Sequence, residues 1–310
     1  MSSKRYPQCI MATVCIPWTE SFQFDREVFV RQISHFRSLD IENVYLFGTA
    51  GEGHAVTDGQ FDEITQLFFQ EMTRLNMQPM VGIISPSLQV MKQRLERAYS
   101  LGVRDFQFAL PGWTVLSEEE MFDFFHAFCD PYPDCRFMLY NIIRSKRLVT
   151  PAEFFRLAEE IPNLTAAKTT SVSFADVHDL AFTECPIQFF TAETSIGYAG
   201  MLGEFGYLMA WGSLNPQRAK LFFQAVQDKD VPSVKKFVSE THGVWRGIMG
   251  IIGTGWSDAA YDKVFFRHAD PEFSLRVLPP YRAIPEEVYQ EFMQFMESDY
   301  PQWLYRGGKS

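Results

Sequence analysis

The chain has 310 residues, 46% of them hydrophobic, enough to bury the core of one large α/β barrel or of two smaller domains. Its formal charge of −10, with no dense Lys/Arg stripe, argues against a nucleic-acid partner, since phosphate neutralisation needs clustered positive charge. No apolar run reaches bilayer length and Met1–Gln8 lacks the basic-then-apolar order of a signal peptide, so a cytoplasmic protein with no membrane partner is expected.

Short apolar runs alternate with amphipathic ones in chain order. The strand candidate Cys9–Pro17 precedes a helical stretch at Asp25–Arg37; Val44–Gly48 precedes Gln60–Arg74, and Met80–Ile84 precedes Leu88–Ser100. Asp105–Leu110 is followed by Ser117–Cys129, Arg136–Asn141 by Thr150–Glu160, and Leu164–Thr169 by Phe174–Phe182. Ile187–Ala192 and Tyr207–Gly212 complete the strands, the latter leading into Gln217–Val226. Ser117-Glu-Glu-Glu120 and Thr150-Pro-Ala-Glu153 each place a hydroxyl cap before an acidic third residue, and Pro151 suits a first helical position.

Eight such units at roughly 28 residues each predict a closed (β/α)8 TIM barrel. Residues 1–230 form the barrel in this reading. Residues 231–310 form a C-terminal helical extension packed on it, with helices at Val231–Gly250, Trp256–Arg267 and Pro285–Ser298 and no Gly/Ser linker between the two parts. The glycines at 243, 247, 250, 253 and 255 are read as close packing, because no strand precedes them as a dinucleotide fingerprint requires.

The five cysteines (Cys9, Cys15, Cys129, Cys135 and Cys185) include no C-x-x-C pair and read as reduced thiols, and the 30 phenylalanines indicate heavy aromatic packing, with a hydrophobic subunit interface as one use of it. The six histidines are dispersed without ligand spacing, so no metal site is expected.

Active sites of such barrels lie where strands end. Lys168 is the only charge in Leu164-Thr-Ala-Ala-Lys-Thr-Thr170; buried there, it is expected to lose its proton and become a nucleophile able to form a Schiff base. The bland alternative is a lysine that snorkels to water. Tyr140 closes the fifth strand as a proton relay or a core tyrosine. Gly48-Thr-Ala-Gly-Glu-Gly53 follows the second strand as a carboxylate or phosphate turn, with Thr49 adding a hydroxyl, or as a tight βα connection.

Gly48-Thr-Ala-Gly-Glu52, Tyr140-Asn-Ile142, Pro162-Asn-Leu-Thr-Ala-Ala-Lys168 and Leu278-Pro-Pro-Tyr-Arg-Ala-Ile-Pro-Glu286 together resemble the dihydrodipicolinate synthase and N-acetylneuraminate lyase family over nearly the whole chain. The resemblance implies a barrel enzyme that binds 2-oxo acids through an imine on Lys168, with Tyr140 relaying protons and Gly48, Thr49 and Ala50 holding the substrate carboxylate. It also implies no metal or nucleotide cofactor, and a homo-oligomer, dimer or tetramer.

Three departures stand out. Ala50 replaces a second hydroxyl of the carboxylate turn. Pro111-Gly-Trp113 stands where many relatives have Pro-Tyr-Tyr, and Arg144 comes four residues after the tyrosine instead of five. Trp113 and Arg144 are the further candidate substrate contacts. The expected activity is a class I lyase or aldolase acting on pyruvate or a longer 2-oxo acid, rather than lysine biosynthesis. The alternatives are a deoxy sugar-acid dehydratase of the same family, a 2-oxo acid binding protein without turnover, and a phosphate-dependent barrel enzyme using Trp211-Gly-Ser-Leu-Asn215.

Overall fold

The computed structural model describes residues 5–169, 173–182 and 185–307. Met1–Lys4 and Thr170, which entered the readings above, lie outside the described residues. The strands β1 (Ile10–Thr13), β2 (Asn43–Leu46), β3 (Gln78–Gly82), β4 (Asp105–Phe108), β5 (Arg136–Asn141), β6 (Leu164–Thr169), β7 (Gln188–Thr191) and β8 (Gly206–Met209) pair in sequence order. All pairs are parallel, and β8 closes onto β1 as predicted. The helices are α1 (Arg26–Ser38), α2 (Asp58–Arg74), α3 (Leu88–Leu101), α4 (Glu118–Cys129), α5 (Pro151–Glu160), α6 (Phe174–Phe182), α7 (Glu193–Leu202) and α8 (Pro216–Gln227). Three more follow: α9 (Val231–Gly247), α10 (Asp258–Ala269) and α11 (Glu286–Asp299).

Local signals account for several boundaries. Ser117 and Thr150 both form capping boxes with Glu120 and Glu153, so α4 and α5 start where their hydroxyls satisfy orphan amides. The expected strand Cys9–Pro17 is paired only over Ile10–Thr13. α7 was not anticipated: Glu-Thr-Ser-Ile-Gly-Tyr-Ala-Gly-Met-Leu lacks a polar stripe, and its Gly200 packs so close to Val226 that a Cβ would stand 2.2 Å away. α9 passes at its end into one π turn, Ile248–Ile252.

Alternate strand residues fill the barrel interior. Met11, Tyr45, Met80, Met138, Ala166, Phe190 and Leu208 form one small cluster closed at the amino-terminal end by Tyr6. There Arg136 makes a two-pronged ion pair with Asp105 at 2.7 and 2.5 Å, its guanidinium 4.6 Å from the Tyr6 ring centroid. The phenylalanines supply much of the layer between barrel and helices, as where Phe108 packs with Phe124, Phe125, Phe128 and Phe137. With the amino-terminal end filled, the open end of the barrel is the one where the strands stop. Among the described residues, no helix is long and apolar enough to cross a membrane.

Candidate active site

Register brings Lys168 and Tyr140 together. They are partners across the parallel β5–β6 pair, and each lies two residues beyond an interior residue, Ala166 and Met138. Both are buried, with the Lys168 Nζ 3.9 Å from the Tyr140 ring centroid and 5.9 Å from that of Tyr45.

Burial by itself pushes the Lys168 amine down. The phenol groups of Tyr140 and Tyr45 and the Asp258 carboxylate act in the opposite direction, and the net result is a pKa above the ordinary lysine value. The expected loss of the proton on burial is thereby corrected. The buried group keeps its charge because ring faces and a carboxylate replace the water it has lost.

The turn after β2 stands beside this pair. Phe47 and Glu52 both adopt positive φ, 59° and 57°, a conformation that costs a side-chain-bearing residue about 1–2 kcal/mol. Neighbours hold it closed. A Cβ on Gly53 would stand 2.5 Å from the Phe47 carbonyl oxygen, so only glycine fits. Glu52 accepts hydrogen bonds from the Trp18 indole at 2.8 Å, the Leu278 amide at 2.5 Å and the Lys263 ammonium at 2.6 Å. From the other side, buried Arg94 donates to the carbonyls of Gly53, Val56 and Ile84. Among the described residues, no hydrogen bond takes up the amides of Thr49 and Ala50. The Thr49 hydroxyl reaches toward the Tyr140 hydroxyl at 3.5 Å, the outer limit of a hydrogen bond.

The C-terminal helices supply groups that sequence reasoning missed. Ser257 caps α10, and the next residue, Asp258, takes two hydrogen bonds from the Arg144 guanidinium at 2.9 and 2.6 Å. Although burial raises it, the Arg144 pair and the Thr49 hydroxyl hold the Asp258 carboxyl below the usual carboxylate range. Arg144 is therefore engaged with Asp258 and not held free for a substrate carboxylate.

Two chambers of about 450 Å³ each lie at the barrel mouth, and Thr49 and Asp258 line both. The inner one contains Lys168, Tyr45, Ala50, Glu193 and Asp262. The outer one contains Tyr140, Arg144, His54, Tyr281 and Trp113, whose indole is 83% exposed and does not reach the inner chamber. Of the predicted residues, Lys168 and Ala50 face the inner chamber, Tyr140, Trp113 and Arg144 the outer one, and Thr49 both. Gly48 lies behind the turn, against Tyr45. Asp262-Lys263, two charges inside the apolar run of α10, was the available signal for the missed groups.

Glu193 decides the reading of Trp211–Asn215. Its Oε1 accepts the amides of Ala210 at 2.6 Å and Gly212 at 2.9 Å, leaving those donors occupied. A phosphate would have to displace a buried carboxylate. The phosphate-dependent reading thus loses its cradle.

The sequence profile described as the Dihydrodipicolinate synthetase family matches residues 6–248. N-acetylneuraminate lyase of Salmonella typhimurium is 20% identical over 262 residues, covering 79% of this chain and 86% of the lyase. Among solved structures, YagE of Escherichia coli K12 in complex with pyruvate aligns with a TM-score of 0.82 at 17% identity, over 94% of this chain and 97% of YagE. Dihydrodipicolinate synthase of Aquifex aeolicus aligns at 0.82 and 14% identity, over 96% of this chain and all 100% of that one. The structural likenesses are likenesses of fold, and the match along the sequence carries the assignment: the chain belongs to the dihydrodipicolinate synthetase family, lyases of the class I aldolase type.

Proposed function

We propose that the protein binds pyruvate or a longer 2-oxo acid as an imine on Lys168 and makes or breaks a carbon–carbon bond through the derived enamine. The observation that carries this reading is the buried Lys168 lying against the Tyr140 ring at a strand end, next to the Thr49–Ala50 turn. The two amides and the Thr49 hydroxyl suit a carboxylate, placing the adjacent carbonyl carbon toward Nζ.

The reaction begins when the ammonium gives up a proton to water in the chamber. Nζ then adds to the carbonyl carbon, and Tyr140 protonates the departing hydroxyl of the carbinolamine, leaving an iminium. The Tyr140 oxygen next takes a proton from the neighbouring carbon, and the electron pair moves into the iminium to give the enamine. The field that raises the Lys168 pKa also stabilises the cationic iminium, since both states carry charge on the same nitrogen. No further cofactor is needed. A chamber of about 450 Å³ exceeds what pyruvate fills and leaves room for a second reactant.

A cytoplasmic homo-oligomer, dimer or tetramer, fits this reading. The exposed Trp113, Val115 and Ile143 offer apolar surface for a subunit contact, and sedimentation reports the assembly. The reading itself is tested by borohydride reduction in the presence of a panel of 2-oxo acids, followed by peptide mass spectrometry. A reduced adduct on Lys168, lost in Lys168→Ala, is expected. Its absence with every oxo acid overturns the reading.

A further inference from the structure

Asp262 stands on the wall of the chamber that holds Lys168. It lies in α10 and is only 7% exposed. Among the described residues, what acts on its carboxyl is burial and three charged groups, with no hydrogen bond. The adjacent Lys263 is not its counter-ion, because that ammonium turns to Glu52 and to the Arg276 carbonyl. Its oxygens are not among the fully enclosed atoms left without a partner, so they open onto the chamber, where a carboxyl held at 7% exposure with no hydrogen bond is placed to act on a ligand.

We propose that Asp262 is the proton donor to the oxygen of the aldehyde that the Lys168 enamine attacks. The inference rests on the Schiff-base reading. In the addition direction, the enamine carbon forms the new bond to the aldehyde carbon while the nitrogen lone pair regenerates the iminium. The carbonyl π pair moves onto oxygen, which takes the Asp262 proton and becomes a hydroxyl. Water restores the Asp262 proton after product leaves. In cleavage the carboxylate takes that hydroxyl proton back, so no oxidant or reductant is involved.

The surroundings suit the role. The groups that act on Asp262 are Asp258 on its own helix, Lys168 from β6 and Glu193 from α7, and Asp262 in turn acts on Tyr45 and Cys15. Burial, Asp258 and Glu193 push its carboxyl well above the usual carboxylate range, outweighing Lys168, which favours the protonated form that a donor needs.

The test separates imine chemistry from bond formation. Deuterium exchange into the pyruvate methyl and borohydride trapping on Lys168 report the enamine; addition of pyruvate to glycolaldehyde and glyceraldehyde reports the later step. Asp262→Asn is expected to keep exchange and trapping within about threefold and to lower addition roughly 10²–10⁴-fold, with Asp262→Glu restoring part of it. Addition unchanged in Asp262→Asn overturns the inference. So does a parallel loss of exchange and addition in both Asp262→Asn and Asp262→Val. A wild type that exchanges the methyl but adds it to neither aldehyde also overturns it, leaving the Schiff-base reading intact. A wild type that neither exchanges nor traps overturns both.

Discussion

Lys263 Nζ lies 2.6 Å from Glu52 Oε2, and both side chains are shut off from solvent at 0% and 1% exposure. The pair ties the turn after β2 to α10 by a contact shut off from solvent. Burial lowers the Lys263 pKa against the pull of Glu52, which measures how much hydration has been given up. Removing one partner strands the other charge. Lys263→Met is expected to cost about 3–5 kcal/mol by urea unfolding, and Glu52→Gln combined with Lys263→Met to recover part of that loss. Single variants no less stable than surface substitutions would show that the pair does not hold the turn.

The upward shift of Lys168 makes a kinetic prediction. Attack needs the free amine, so at pH 7–9 only a small fraction is reactive, and that fraction grows about tenfold per pH unit until the raised pKa is reached. Initial rates of borohydride-trapped adduct formation are therefore expected to climb to at least pH 10. A plateau below pH 8 would mean that the amine is already neutral there.

Tyr140→Phe keeps the ring beneath Nζ and removes only the hydroxyl. Imine formation is expected to slow roughly 10²–10⁴-fold while the concentration of oxo acid giving half-saturation changes little. A change below threefold would assign the proton to water.

Ala50→Ser adds a hydroxyl to a buried position of the carboxylate turn. Pyruvate binding to the Lys168→Ala background, which isolates recognition from imine formation, is expected to tighten by up to about tenfold, the value of one hydrogen bond near 0.5–1.5 kcal/mol. Weaker binding would place the carboxylate away from Ala50.

The barrel and its amine could be read from the chain because both leave local marks. Strands recur at a steady spacing, and Lys168 is a lone charge among small and apolar residues. α7 leaves no such mark, since it is apolar on most sides and its glycines serve close packing. The partners of the site were hidden for a different reason. Arg144 and Asp258 are 114 residues apart, and Glu52 and Lys263 are 211 apart, so their pairing depends on how the C-terminal helices settle over the mouth. The exposure of Trp113 depends likewise on the path of its loop, whose Trp113 carbonyl is held by Lys146 at 2.9 Å.

The Arg144–Asp258 pair gives the last prediction. Asp258 has a folded pKa below its unfolded value, so its contribution to stability is present above about pH 4 and is lost as pH falls through the folded pKa. Arg144 is 54% exposed, and solvent screening keeps the pair's share of stability to about 1 kcal/mol or less. Arg144→Ala is thus expected to lower stability slightly at pH 7 and hardly at all near pH 3, as followed by thermal unfolding across that range. Its effect on chemistry is expected to be larger. Without the guanidinium the Asp258 carboxyl loses its main support and its pKa rises, so the charge that stabilises the Lys168 iminium is lost at a higher pH. Because the rise of adduct formation with pH is set by Lys168 itself, the effect is read on deuterium exchange per trapped enzyme, which should fall off at a higher pH in Arg144→Ala than in wild type or Arg144→Lys; identical profiles in wild type and Arg144→Ala would remove Asp258 from the electrostatics of the imine.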